Sequence, residues 1–124
     1  MHCAFINMVT APEKKYCVRV RIWVDEESGP FIGHGRVLLL EKINETGSIT
    51  NAAKAIKMSY RQAWQLVEDM NKRSRTPLVI KVLGGKNGGG ARLSEEGIKM
   101  IERFYAIVKD VQQYTEMKTQ SFLV

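Results

Sequence analysis

Two helix-start signals eleven residues apart, Ser48 and Ser59, constrain this chain more than any other feature in it. A serine hydroxyl just outside a helix accepts a hydrogen bond from a first-turn amide that has no partner within the helix. Ser48 follows Gly47, a residue suited to closing the preceding helix, and opens a short run built on Ala52, Ala53 and Ala55. Lys57-Met58 leaves room only for a tight connection before Ser59 starts the next helix, which runs to about Arg75, where Pro77 stops it. A short helix, Ile49 to Ile56, is therefore held between two others, and its small alanines let them approach closely.

The flanking segments complete the order. Val37, Leu39, Leu40 and Ile43 give Gly35 to Thr46 an apolar helical stripe. After the third helix, Leu78 to Leu83 and Ala91-Arg92-Leu93 read as strands around Gly84-Gly85-Lys86-Asn87-Gly88-Gly89-Gly90, a turn with five glycines in seven positions. Ser94 then caps a long helix to about Lys118, with acids Glu95 and Glu96 in its first turn and Ile101, Phe104, Val108 and Val111 on one stripe. Before all this, Met1 to Lys15 lacks periodicity and reads as an arm. Tyr16 to Asp25 alternates as a strand burying Val18, Val20, Ile22 and Val24, and Glu26 to Pro30 reads as a turn. The expected class is mainly α with small β: a winged helix-turn-helix with a long C-terminal dimerisation helix. Its parts are an arm at 1–15 and one domain at 16–124, with the helix-turn-helix at 47–76, the wing at 78–93 and the dimer helix at 94–118.

Charge is distributed unevenly. The chain carries a formal +6, yet Lys54 to Arg92 alone holds nine basic residues against Glu68 and Asp69, a balance of +7 that leaves −1 for the rest. A polyanion docked on that segment would release counterions. Hydrophobic residues at 44% and charged residues at 26% fit a folded soluble domain. No apolar run has the roughly 20 residues of a membrane span, and the N-terminus does not read as a signal peptide. A cytoplasmic, nucleoid-associated protein with no membrane partner is expected. Cys3 and Cys17 form no CxxC pair or zinc spacing and read as reduced thiols; no metal or other cofactor is expected.

Helical spacing sorts the third helix into two faces. Tyr60, Ala63, Trp64, Val67 and Met70 should pack inward. Arg61, Gln62, Gln65, Glu68 and Lys72 lie outward. Arg pairs with guanine and Gln with adenine through two hydrogen bonds each, so Arg61, Gln62 and Gln65 are the base-reading candidates for a helix in the major groove of double-stranded DNA. Ser48, Lys54, Lys57 and Ser59 are candidates for phosphate contact, and the Tyr60 hydroxyl can reach a phosphate as well. The glycine-rich turn lacks the Lys and hydroxyl of a nucleotide-binding loop, since Ala91-Arg92 follows it. It suits a wing tip in which Lys86, Asn87 and Arg92 supply donors. No nucleophile–base arrangement points to an enzyme.

The run Glu45-Thr46-Gly47-Ser48-Ile49-Thr50-Asn51-Ala52-Ala53-Lys54 resembles the opening shared by LysR-type and ModE-type bacterial regulators. Met58 to Trp64, Glu68-Asp69-Met70-Asn71 and Gly84 to Ser94 resemble the DNA-binding domain of ModE, the molybdate-responsive regulator, and the likeness covers about Val18 to Val111. It implies a winged-helix homodimer on palindromic DNA, with Ile101, Phe104, Val108 and Val111 in the dimer interface. Full-length ModE carries molybdate-binding domains after this helix, for which 124 residues leave no room. The expectation is a transcriptional regulator without that sensor, working with none or with an effector-sensing partner on another polypeptide. The alternatives are a protein-interaction module that keeps the fold, and a molybdenum-responsive protein using a separate sensor.

Overall fold

A computed structural model describes residues 14–82 and 90–123. Their elements run β1 Trp23–Glu26, β2 Gly29–Gly33, α1 His34–Thr46, α2 Ile49–Ala55, α3 Tyr60–Arg73, β3 Val79–Val82, β4 Gly90–Leu93 and α4 Glu95–Leu123. This is a mainly α, winged-helix architecture in which three helices are followed by a hairpin and a long helix. The strands form two antiparallel hairpins, β1–β2 and β3–β4. Two compact units divide the chain, one joining residues up to Ile22 with those from Tyr105 onward, the other spanning Trp23–Phe104.

In the Trp23–Phe104 unit the helices begin and end where their caps dictate. Ser48 Oγ accepts from the Asn51 amide at 3.1 Å and Ser59 Oγ from the Gln62 amide at 3.1 Å. Gly47 sits in the left-handed region at φ 70° and its amide closes α1 on the Ile43 carbonyl, a conformation that a Cβ would disfavour. The core draws Val37, Leu39, Leu40 and Ile43 from α1, Ala52 and Ala53 from α2, and Ala63, Val67 and Met70 from α3. Ile32, Ile49, Leu78, Val79, Ala91, Leu93 and Phe104 complete it.

Three expectations need correction. The first strand begins at Trp23 instead of Tyr16 and extends to Glu26, and Val20 is exposed. A strand exists only where a partner supplies its ladder, and β2 offers one from Gly33, opposite Trp23, to Gly29, opposite Glu26. The expected turn at 26–30 is accordingly reduced to Glu27-Ser28 between the strands, and Gly29–Gly33 is a strand that buries Ile32. Pro30 is tolerated because β2 has a free edge in this two-stranded sheet. Finally, Cys17 is disulfide-bonded, not a reduced thiol; its sequence spacing carries no sign of this.

In the other unit, α4 continues to Leu123, five residues beyond the expected end. The Val18 amide donates to Thr119 Oγ1 at 2.7 Å, and the Thr119 hydroxyl donates to the Thr115 carbonyl at 2.8 Å. Thr115 and Thr119 are both buried, so these bonds satisfy groups that would be costly left unpaired. The rings of Tyr16 and Phe122 meet at 6.0 Å between centroids. Among the described residues, no helix is long and apolar enough to cross a membrane.

Candidate nucleic-acid interface

The turn between α2 and α3 fixes the exit angle of α3. Lys57 takes φ 57°, a left-handed conformation that costs a residue with a Cβ roughly 1–2 kcal/mol. The Met58 amide donates back to the Ala53 carbonyl at 2.9 Å, and the Lys57 amide to the Lys54 carbonyl at 3.2 Å. These bonds hold the strained turn closed and leave Lys54 and Lys57 exposed. Ser59 then caps α3, leaving its hydroxyl proton available to an acceptor outside the helix.

α3 buries Ala63, Val67 and Met70 at i, i+4 and i+7. Arg61, Gln62, Gln65, Glu68 and Lys72 are exposed, as the face analysis expects. Tyr60 and Trp64 are not packed inward, being 53% and 41% exposed. The reason is angular: both sit at the rim of the stripe formed by Ala63, Val67 and Met70.

Two polar anchors set the attitude of α3. Asp69 accepts from Arg36 Nη1 at 2.6 Å and from Arg73 Nε at 3.0 Å, tying α3 to α1. Arg73 also reaches Glu26 Oε1 at 3.3 Å and Ser28 Oγ at 2.8 Å in the β1–β2 hairpin. Its guanidinium lies 2.8 Å from where a Cβ on Gly29 would stand, so glycine is needed for this approach. Hydrogen bonds from Arg36 and then Arg73 hold the Asp69 carboxyl below its ordinary value of 3.8. A lowered folded value means stability that is present above the unfolded pKa and lost as pH falls through the folded one. Asp69→Asn is expected to destabilise the protein by about 1 kcal/mol at neutral pH, the upper end for ion pairs open to solvent. In denaturant titrations the gap between variant and wild type should shrink once the pH drops below 3.8.

The second anchor is Asn71. Its Oδ1 accepts from the Leu78 and Val79 amides at 2.8 and 3.1 Å, while its Nδ2 donates to the Val79 carbonyl at 3.0 Å. One side chain thereby docks the start of β3 on the end of α3. On the return strand, the Ala91 amide donates to the Gly47 carbonyl at 2.9 Å. A Cβ on Gly90 would stand 2.7 Å from that same oxygen, so the wing is joined closely to the α1–α2 junction.

Register decides which face of the wing each cation occupies. Lys81 pairs with Ala91 and Ile80 with Arg92, so the two basic residues lie on opposite faces. Lys81 shares its face with the buried Val79, Ala91 and Leu93. Its ammonium pairs with Glu68 and lies 4.8 Å from the Trp64 ring centroid. Sequence reasoning missed Lys81; its parity with Val79 was the available signal. Arg92 is exposed on the other face. Lys86 and Asn87 lie outside the described residues.

Of the basic residues between Lys54 and Arg92, Arg73 and Lys81 are engaged with carboxylates, whereas Lys54, Lys57, Arg61, Lys72, Arg75 and Arg92 make no ion pair among the described residues. Glu68 and Asp69, the acids of that segment, are both neutralised. The exposed surface of α2, the turn and α3 is thus left electropositive. By contrast, a groove of about 250 Å³ lined by Glu41, Asn44, Glu45, Ile98, Ile101 and Glu102 presents three carboxylates and would repel an oxyanion. No group of three or more His, Cys, Asp or Glu residues among the described residues could hold a metal ion. On α4, Phe104 is buried, Ile101, Val108 and Val111 are half-buried, and Ile107, Tyr114 and Met117 are exposed.

No family model matches the chain. Individual proteins do. It is 36% identical over 92 residues to "Molybdenum transport protein ModE" of Azotobacter vinelandii, covering 74% of this chain and 34% of that protein. Against "Transcriptional regulator ModE" of Haemophilus influenzae it is 42% identical over 84 residues, 68% of this chain and 32% of the relative. The "Molybdenum-pterin-binding protein MopB" of Rhodobacter capsulatus is 44% identical over 82 residues, 66% and 30% respectively. The chain thus spans about a third of the length of these relatives. What it shares with these ModE-type relatives is their N-terminal region.

Proposed function

We propose that this chain is a DNA-binding transcriptional regulator that lays the exposed face of α3 in the major groove of duplex DNA. The observation that carries the reading is the make-up of that face. A capped helix, anchored on both flanks by Asp69 and Asn71, exposes Arg61, Gln62, Gln65 and Lys72 to solvent while the local acids are used up in ion pairs. Such a surface is rigid, electropositive and rich in the two side-chain types that read purines through paired hydrogen bonds. Arg61, Gln62 and Gln65 then read base edges. Ser48, Lys54, Lys57, Ser59, Tyr60 and Lys72 contact phosphates, with Lys86, Asn87 and Arg92 of the wing. The name "Transcriptional regulator ModE" borne by relatives supports the same reading.

The functional form is a homodimer on a two-fold symmetric operator. It associates along α4 through the half-buried Ile101, Val108 and Val111, with the exposed Ile107, Tyr114 and Met117 adding apolar area that a second copy would cover, while Phe104, also expected on that stripe, is buried in the core of its own unit. Selection from a pool of random duplexes tests the proposal. Recovery of a palindrome with half-sites one helical turn apart, or a multiple of it, supports both parts. An asymmetric enriched site would remove the dimer, and no enrichment would remove DNA reading.

A further inference from the structure

Tyr60 and Trp64 stand one turn apart on α3, 53% and 41% exposed. The neighbouring exposed positions on α3 are polar or charged: Arg61, Gln62, Gln65, Glu68 and Lys72. Two large aromatic surfaces facing water within a polar field mark a place where an apolar partner is gained on binding. Trp64 is also held in place. Lys81 lies 4.8 Å from its ring centroid and is itself tethered to Glu68, so the indole is braced on the wing side.

We infer that Trp64 reads the 5-methyl groups of thymine in the major groove. The inference rests on the proposal that α3 enters that groove. A helix there meets the edges of stacked bases and not their faces, so ring-on-base stacking is unavailable. Among those edges the thymine methyl is the one apolar group; the others are hydrogen-bond donors and acceptors. An indole offers one N–H donor and no acceptor, so its broad surface gains nothing from the polar edges. Trp64 precedes Gln65 on the same turn of helix, which puts a methyl contact beside a candidate adenine contact. An adenine on one strand carries its thymine partner with it in the same base pair, so the two contacts would report on one short A·T-rich segment.

The test replaces thymine by uracil, one position at a time, in a duplex that the wild-type chain binds. Base pairing is kept and only the methyl is lost. One or two positions are expected to weaken wild-type binding about three- to fivefold, the worth of one buried methyl. The same replacements should cost Trp64→Ala nothing further, and Trp64→Phe should retain part of the discrimination. Melting curves for both variants check that the fold is intact. The inference is overturned if the wild type binds the duplex equally well with uracil at every position, or if Trp64→Ala shows the wild-type loss. If no duplex is bound at all, the reading of α3 as a DNA-recognition helix falls with it.

Discussion

Arg61→Ala is expected to weaken binding to the selected duplex by roughly ten- to a hundredfold, as loss of one bidentate base contact does, while changing affinity for unrelated sequence far less. Arg61 lies in the first turn of α3, exposed and without an ion pair among the described residues. Removing it breaks no hydrogen bond or ion pair among the described residues, so the loss can be assigned to the interface and not to the fold. Gln65→Ala, one turn further along the same face, should relax preference at a different base pair. A change at Lys72 should instead act almost uniformly across sequences and reduce the salt slope by about one, the signature of a phosphate contact. Quantitative mobility shifts with specific and scrambled duplexes separate the two patterns.

The second large effect is on stability. Leu40→Ala should destabilise the chain by about 3 kcal/mol, within the range of roughly 2–5 for fully buried leucines. Leu40 is 0% exposed on α1, in a core that also buries Ala52 and Ala53 of α2 and Ala63 of α3. Alanines at those positions bring the helices close together but leave little side chain able to shift into a cavity, so much of the cavity cost should remain. On the usual scaling of melting temperature with stability, the midpoint should fall on the order of 10 °C. A loss below about 1 kcal/mol in denaturant titration would mean that the core relaxes far more than this packing suggests.

The parts of this architecture written in local chemistry were legible in the chain. Ser48, Ser59 and Gly47 mark helix boundaries through contacts within three or four residues, and the structure places those boundaries where the residues imply. The burial of Ala63, Val67 and Met70 follows from helical periodicity alone. What stayed hidden depends on partners distant in sequence. β2 needed β1 to be recognisable, since Gly29-Pro30 reads as the end of a turn over Glu26 to Pro30 until Trp23 is placed opposite Gly33. The roles of Asn71, Asp69 and Arg73 depend on Val79, Arg36 and Glu26 respectively, which reach them only through the fold. Trp64 was misplaced because apolar character predicts burial on average, whereas its position at the rim of the stripe decides the outcome here. Lys81 was overlooked because its function as a brace appears only once the hairpin register sets it against Trp64.

The claim on which the rest depends is that the Trp23–Phe104 unit presents α3 to duplex DNA through an electropositive face. The most direct measurement is the dissociation constant for a selected duplex and a scrambled one across a series of salt concentrations. Binding to both at low salt is expected, with a log–log slope of at least about −3 as several of the unpaired cations displace counterions, and a clear preference for the selected duplex that survives as salt rises. No binding at low salt, or an affinity indifferent to salt, would contradict it.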